Sequence, residues 1–260
     1  MKPSRVIAFF MALLCASPAF SGDKQKKTKG KDEDPFIRTI QAMKLSTVRV
    51  ACAKPEPDNN IVLDTSEGSG FFVATDGTFL TAGHVAHGLY LPSPPRKQPC
   101  QKPVIYISRD GWKVAGNTVD LRWFAIKGCV YDDDLDLAKC TTTVNPFMFG
   151  DVKVRPLAVT LDESVQEEGT QIAFTGFPLD NVVPVTARAT IGTYWGLPGE
   201  SGQREMIIDH NNWPGASGAP VYLSNGKVIG LILRRGINEA TGVACARSGK
   251  FLVDFLDKKQ

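Results

Sequence analysis

The sequence has little net charge. Across its 260 residues, 30 Lys plus Arg stand against 27 Asp plus Glu, leaving +3, too little to imply a nucleic-acid or membrane partner. It has no C-x-x-C pair and no clustered Cys/His spacing, so metal binding by its cysteines has no support. No internal repeat recurs at a solenoid period. The helix–strand alternation that an α/β-hydrolase nucleophile elbow requires is also missing. A hydrophobic content of 43% with 22% charged residues excludes a disordered or collagen-like chain and is enough for a substantial core.

The apolar run at the start, Val6 to Cys15, is too short to span a bilayer. Lys2 and Arg5 precede it and the small residues Ala16, Ser17, Ala19 and Ser21 follow, the layout of a secretory signal peptide over residues 1–21. Cleavage is expected after Ser21, with Ala19 as the alternative, and Leu14 before Cys15 argues against a lipoprotein anchor. Loss of Lys2 and Arg5 brings the charge to +1. Export implies an oxidising compartment, periplasmic or extracellular, with no membrane anchor after cleavage. Cys52, Cys100, Cys129, Cys140 and Cys245 remain, an odd number, and the sequence alone does not select among the two-bridge connectivities. Cys129 and Cys140 flank a predicted hairpin turn, which favours their pairing. Cys52 with Cys100 then follows by elimination, and Cys245 stays a thiol in the apolar stretch Gly242 to Ala246.

Residues 22–45 are expected to be a charged linker. Gly22 to Pro35 holds five Lys and four acids with no aliphatic residue, so it cannot form a core face. From Ser46 the pattern changes to short β-branched and aromatic runs separated by Gly, Pro, Asn and Asp, including Thr47 to Cys52, Phe71 to Ala74, Val104 to Ser108, Leu121 to Val130, Gln171 to Thr175 and Val228 to Leu233. Such spacing predicts an all-β sandwich or barrel. The less periodic stretch Asn145 to Gly169 is the expected boundary between two lobes, at about residues 46–150 and 160–247. Leu91 to Pro103, with five prolines, is expected as an exposed excursion. Phe251, Leu252, Phe255 and Leu256 recur at helical spacing and predict a closing helix over 248–257, within a folded domain of 46–258.

Hydrolysis of a peptide bond by serine needs a hydroxyl nucleophile, an imidazole base, a carboxylate to orient the imidazole, and amide donors for the oxyanion. GSGFFVATDGTFLTAGHV, Gly68 to Val85, places His84 at a strand end. YDDDLDLAKC, Tyr131 to Cys140, places Asp136 at the start of an apolar strand, with Asp132, Asp133 and Asp134 as a solvated turn. WPGASGAP, Trp213 to Pro220, presents Ser217 in a glycine-flanked turn where the amides of Gly215 and Ser217 can converge on one oxygen. His87 and His210 are expected to be structural or exposed.

TAGHV at His84, DLA at Asp136 and GASGAP at Ser217, in that order, resemble the three motifs of the chymotrypsin-like serine proteases, and more closely the protease domain of the bacterial HtrA-type branch. GTQIAFTGFP from Gly169, TARATIG from Thr186 and KVIGLI from Lys227 extend the resemblance over roughly 45–257. It implies a double β-barrel with a short C-terminal helix, a protein or peptide substrate between the lobes, and no cofactor or metal. It also implies the catalytic roles: Ser217 attacks, His84 serves as base and then acid, and Asp136 holds the tautomer. A catalytically inactive scaffold is the alternative. Ala216 stands where the digestive enzymes carry an Asp that pairs with a newly cut N-terminus, so activation by that ion pair is not expected. Val85 and Ala219 also depart from the digestive pattern without removing a catalytic atom. No peptide-binding domain of the HtrA kind is expected after Gln260. For specificity the resemblance points to Asn211 at the pocket base and to Leu233, Arg234 and Arg235 on the substrate-facing strand. An uncharged Asn211 argues against strong Lys or Arg preference, and the two arginines either attract an acidic side chain or are simply solvated.

Overall fold

The computed structural model describes residues 34–55, 61–92, 98–116, 118–196, 205–235 and 242–258, with main chain only at 234 and 235. The expected signal peptide lies outside these residues. Among the described residues no helix is long and apolar enough to cross a membrane.

The chain enters the fold through helix α1, Pro35–Ser46. Asp34 caps it by accepting the Phe36 amide at 3.0 Å, Pro35 occupies the first turn, and Phe36 and Met43 are buried. The linker expected over 22–45 is therefore helix from residue 35 onward. The helix is tied down by Thr39 Oγ1, which donates to the Ser224 carbonyl at 2.6 Å, and by Arg188, which pairs with Asp34 and lies over the Phe36 ring.

The first barrel comprises β1 (Thr47–Pro55), β2 (Ile61–Phe72), β3 (Phe79–Ala82), β4 (Lys102–Ser108), β7 (Leu121–Asp132) and β8 (Leu137–Thr142). They close in the order β1-β2-β3-β8-β7-β4. The short hairpin β5 (Val114–Ala115) and β6 (Thr118–Val119) stands apart, and helix α2, Gly83–Tyr90, follows β3 directly. Pro103, expected in an exposed excursion, lies inside β4 opposite Cys52. Cys52–Cys100 and Cys129–Cys140 are disulfide-bonded, while Cys245 is buried and joins neither bridge.

The second barrel comprises β10 (Gln171–Gly176), β11 (Val185–Trp195), β12 (Glu205–Ile208), β13 (Pro220–Tyr222), β14 (Lys227–Arg235) and β15 (Ala244–Ser248), with β9 (Thr160–Leu161) lying parallel to β14. Pairing of β13 with β14 closes it. Its interior holds Ile172, Phe174, Ile191, Met206, Ile208, Val221 and Ile232. A larger cluster fills the first barrel and continues across the seam between the barrels. It runs from Val50, Phe71, Leu80 and Phe124 to Tyr222, Leu231 and Leu233, and on to Leu252 and Phe255 of helix α3, Gly249–Asp257. β14 thus contributes to both cores, so the seam is continuous with the barrel interior and fixes one barrel against the other.

Tyr222 anchors that seam. Its ring is fully buried and its hydroxyl shares a 2.8 Å bond with Thr175 Oγ1. Burial pushes the phenol up to about 12, against the lowering effect of Thr175 and Thr186. Tyr222→Phe is expected to lower unfolding free energy by about 1 kcal/mol, the net worth of one hydrogen bond, as measured by urea unfolding.

Candidate active site

β3 delivers His84 to the first turn of α2, so the residue expected at a strand end begins a helix. Ala82 at the N-cap offers no side-chain acceptor. Asp136 fills that place from the β7–β8 turn: its carbonyl accepts the Gly83 amide at 2.9 Å and its Oδ1 accepts the His84 amide at 2.8 Å. These are helix donors that would otherwise be orphaned, and a carboxylate there also suits the helix dipole. The same carboxylate meets His84 Nδ1, at 2.9 Å from Oδ2 and 3.2 Å from Oδ1. A carboxylate only accepts, so Nδ1 carries a proton, and in the neutral imidazole that leaves Nε2 as the acceptor. The ring is about half exposed, at 48%, on the open side of the pair.

Asp136 sits at φ +53°, a left-handed conformation that Asp tolerates better than most residues. Arg247 of the second barrel, itself buried, holds the turn by donating from Nε to the Leu135 carbonyl at 2.8 Å. Asp133 and Asp134 lie exposed in the turn, as expected, while Asp132 is half-buried at the end of β7. Asp132 accepts from the Leu135 amide and from Lys258, and Asp133 meets His87 Nε2 at 2.8 Å, with the His87 ring stacked on Tyr131. Burial pushes the Asp136 carboxyl up, but the hydrogen bonds and charge of His84, with the charge of Arg247, outweigh it and leave the carboxyl below its ordinary range. A carboxyl lowered on folding stabilises the fold above the unfolded value, about 3.9, and that contribution is lost as pH falls through the folded value. The stability difference between wild type and Asp136→Asn is therefore expected at neutral pH and should shrink below about pH 4. Urea midpoints across that range measure it, and a difference independent of pH would contradict it.

Ser217 lies in the loop ahead of β13. In a trans peptide the C=O and N–H point opposite ways, so the carbonyl partners of this loop fix where its amides face. The Pro214 carbonyl accepts the Leu179 amide at 2.7 Å, which turns the Gly215 N–H to the other side. The Ala216 carbonyl accepts the Ala219 amide at 2.9 Å, which turns the Ser217 N–H away from that turn. Among the described residues neither the Gly215 nor the Ser217 amide is bonded to an acceptor. Gly215 has φ +93°, and a Cβ there would lie 2.3 Å from the Phe177 carbonyl oxygen, so only glycine fits. Gly68 separates the two halves of the site: a Cβ on it would meet Val85, next to His84, at 2.7 Å and the Ser217 carbonyl at 2.8 Å. Ser217 Oγ donates to the Leu233 carbonyl at 2.6 Å, and among the described residues no hydrogen bond joins it to His84.

Of the expected specificity residues, Leu233 is buried and touches the Ser217 hydroxyl through its carbonyl. Arg234 and Arg235 pair with Cys245 and Ala244 through the β14 main chain. Asn211 Oδ1 lies 3.6 Å from where a Cβ on Gly242 would stand. His210, half-buried, contacts Phe174 edge-on and meets the Asn211 carbonyl at 2.6 Å. A cavity of about 380 Å³ beside the Ser217 loop is lined by residues that include Phe174, Val185, His210, Asn211, Trp213 and Ala216.

Residues 68–231 match the trypsin-like peptidase domain. Among solved structures the chain is similar to the Rv3671c protease of M. tuberculosis. The active form is 17% identical, with 94% of each chain covered and a TM-score of 0.58. The inactive form is 18% identical, covering 85% of this chain and 92% of that one, with a TM-score of 0.57. A search of curated proteins gave no match. The fold is thus the chymotrypsin-like double barrel, and the chain belongs to the trypsin-like peptidase family.

Proposed function

We propose that the protein is an exported serine endopeptidase in which Ser217 is the nucleophile, His84 the general base and acid, and Asp136 the group that holds the imidazole tautomer. Gly215 and Ser217 supply the oxyanion donors. Residues 1–21 act as its signal peptide, and the two disulfides suit the oxidising compartment that export implies.

The chemistry follows from where protons can go. Ser217 Oγ gives up its hydrogen bond to the Leu233 carbonyl and turns toward His84 Nε2. As Oγ attacks the substrate carbonyl carbon, its proton passes to Nε2 and the carbonyl oxygen gains charge facing the two amides. Asp136 stabilises the imidazolium. The imidazolium then protonates the departing amine, leaving an acyl group on Ser217, and a water deprotonated by His84 releases it.

The observation that carries this reading is the pair of unbonded amides at Gly215 and Ser217, beside a His84–Asp136 pair at 2.9 Å. A scaffold that only kept the fold would have no use for two donors left open. The test is incubation of the purified mature protein with an unfolded protein such as casein, followed by sequencing of the new N-termini. Cleavage that disappears in His84→Ala is the expected result. Intact casein with folded wild-type protein would favour the scaffold.

A further inference from the structure

The oxyanion amide of Gly215 belongs to the one residue type that adopts positive and negative φ about equally well. Its φ of +93° is therefore not enforced by its own sterics and has to be held from outside. The holding group comes from the other barrel. Ser69, on β2, is fully buried, and its hydroxyl donates to the Gly215 carbonyl at 2.7 Å while accepting the Phe177 amide at 2.9 Å. Its main-chain amide donates to the Ser217 carbonyl at 2.8 Å, and its own carbonyl is held by Thr81 Oγ1 at 2.7 Å. The fit is close: a Cβ on Gly218 would lie 2.0 Å from the Ser69 carbonyl oxygen, and one on Gly176 would lie 2.8 Å from its hydroxyl.

We propose that Ser69 is the positioning residue of the oxyanion hole, a hydroxyl in the first barrel that locks the second barrel's nucleophile loop in its working conformation. The proposal rests on the serine-protease reading above and assigns a residue outside the triad. A hydroxyl suits the task because it donates and accepts at once. Its accepted bond fixes Phe177, two residues before Leu179, whose amide pins the Pro214 carbonyl and so turns the Gly215 N–H outward. One oxygen thus secures both peptide planes that flank Gly215. Arg49, also buried and also from the first barrel, contacts the same segment at Asp180, where Leu179 and Asp180 both hold positive φ. With Ser69 reduced to alanine, the Gly215 carbonyl loses its partner and the glycine is free to turn.

The test compares wild type, Ser69→Ala and Tyr222→Phe, the last deleting a buried hydroxyl bond, to Thr175, that involves neither Ser69 nor Gly215. Active sites are counted by fluorophosphonate titration, so that unfolded molecules drop out, and kcat and KM are measured on a peptide amide. Loss of a whole oxyanion donor costs about 10²–10³ in kcat, so loss of its holder is expected to cost about 10–100-fold per titrated site. KM should stay within about threefold, because a group acting only on the transition state leaves ground-state binding alone. Affinity for a peptide aldehyde, whose adduct places an oxyanion in the hole, should fall in parallel with kcat, and Tyr222→Phe should keep the wild-type kcat. Wild-type kcat per site in Ser69→Ala overturns the assignment while leaving the protease reading intact. Wild-type protein that neither labels nor hydrolyses overturns both. If Ser69→Ala does not fold, Ser69→Cys, which keeps the shape but weakens both hydroxyl bonds, must show the same split between kcat and KM, and an unchanged kcat there is equally contradictory.

Discussion

Ser217→Ala is expected to lower kcat by about a millionfold with the fold unchanged, the scale on which removal of a triad nucleophile acts. The size of the effect follows from how little else could attack. The other site groups are an imidazole, a carboxylate, backbone amides and the fully buried Ser69 hydroxyl, which is tied to Gly215 and Phe177, so alanine leaves His84 Nε2 with no accessible hydroxyl to deprotonate. Deleting the hydroxyl removes only one protein bond, to the Leu233 carbonyl at 2.6 Å, so stability should change by about 1 kcal/mol or less. Rates on a peptide amide together with the thermal midpoint check both parts. A variant that keeps a tenth of the activity would sink the assignment of Ser217.

Asp136→Asn is the second large effect, expected at about 10⁴-fold in kcat at neutral pH. Asparagine has nearly the same shape, but one of its two polar atoms donates where both carboxylate oxygens accept. Oδ1 and Oδ2 of Asp136 together serve the His84 amide and Nδ1. An amide whose oxygen stays on the His84 main chain turns its NH₂ toward Nδ1, which moves the ring proton to Nε2. The base then points its proton, not its lone pair, at the nucleophile. The loss should appear in kcat with KM little changed, since Asp136 has no part in binding substrate. A loss of less than about tenfold would mean that His84 is oriented by something else.

Both variants concern candidate residues that the sequence itself marks. The motifs around His84, Asp136 and Ser217 announce themselves because each sits in a local pattern, a strand before a turn or glycines beside a serine. The double barrel and its closing helix were legible in the same way, through short β-branched runs and the helical spacing of Phe251, Leu252, Phe255 and Leu256. Helix α2 was not, because its N-terminus has no local cap: the acceptor is Asp136, 52 positions away. Ser69 escapes the sequence for the same reason, since it acts on Gly215 across 146 positions. Arg247 reaches Leu135 across 112 positions. Such contacts exist only once two barrels meet at a seam. Helix α1 differs, because Asp34, Pro35 and the spaced Phe36, Ile40 and Met43 are ordinary local helix signals. The dense charge just ahead of them, five Lys and four acids between Gly22 and Pro35, masks those signals by giving the stretch the composition of a solvated linker.

The proposed function stands on Ser217 being an activated nucleophile that faces a ready oxyanion hole. Its most direct test is labelling of the purified mature protein with a fluorophosphonate probe, with peptide mapping and Ser217→Ala as control. One adduct per chain is expected, on the peptide that contains Ser217, and none in the alanine variant. A folded wild-type protein that stays unlabelled, or that labels elsewhere, would contradict it.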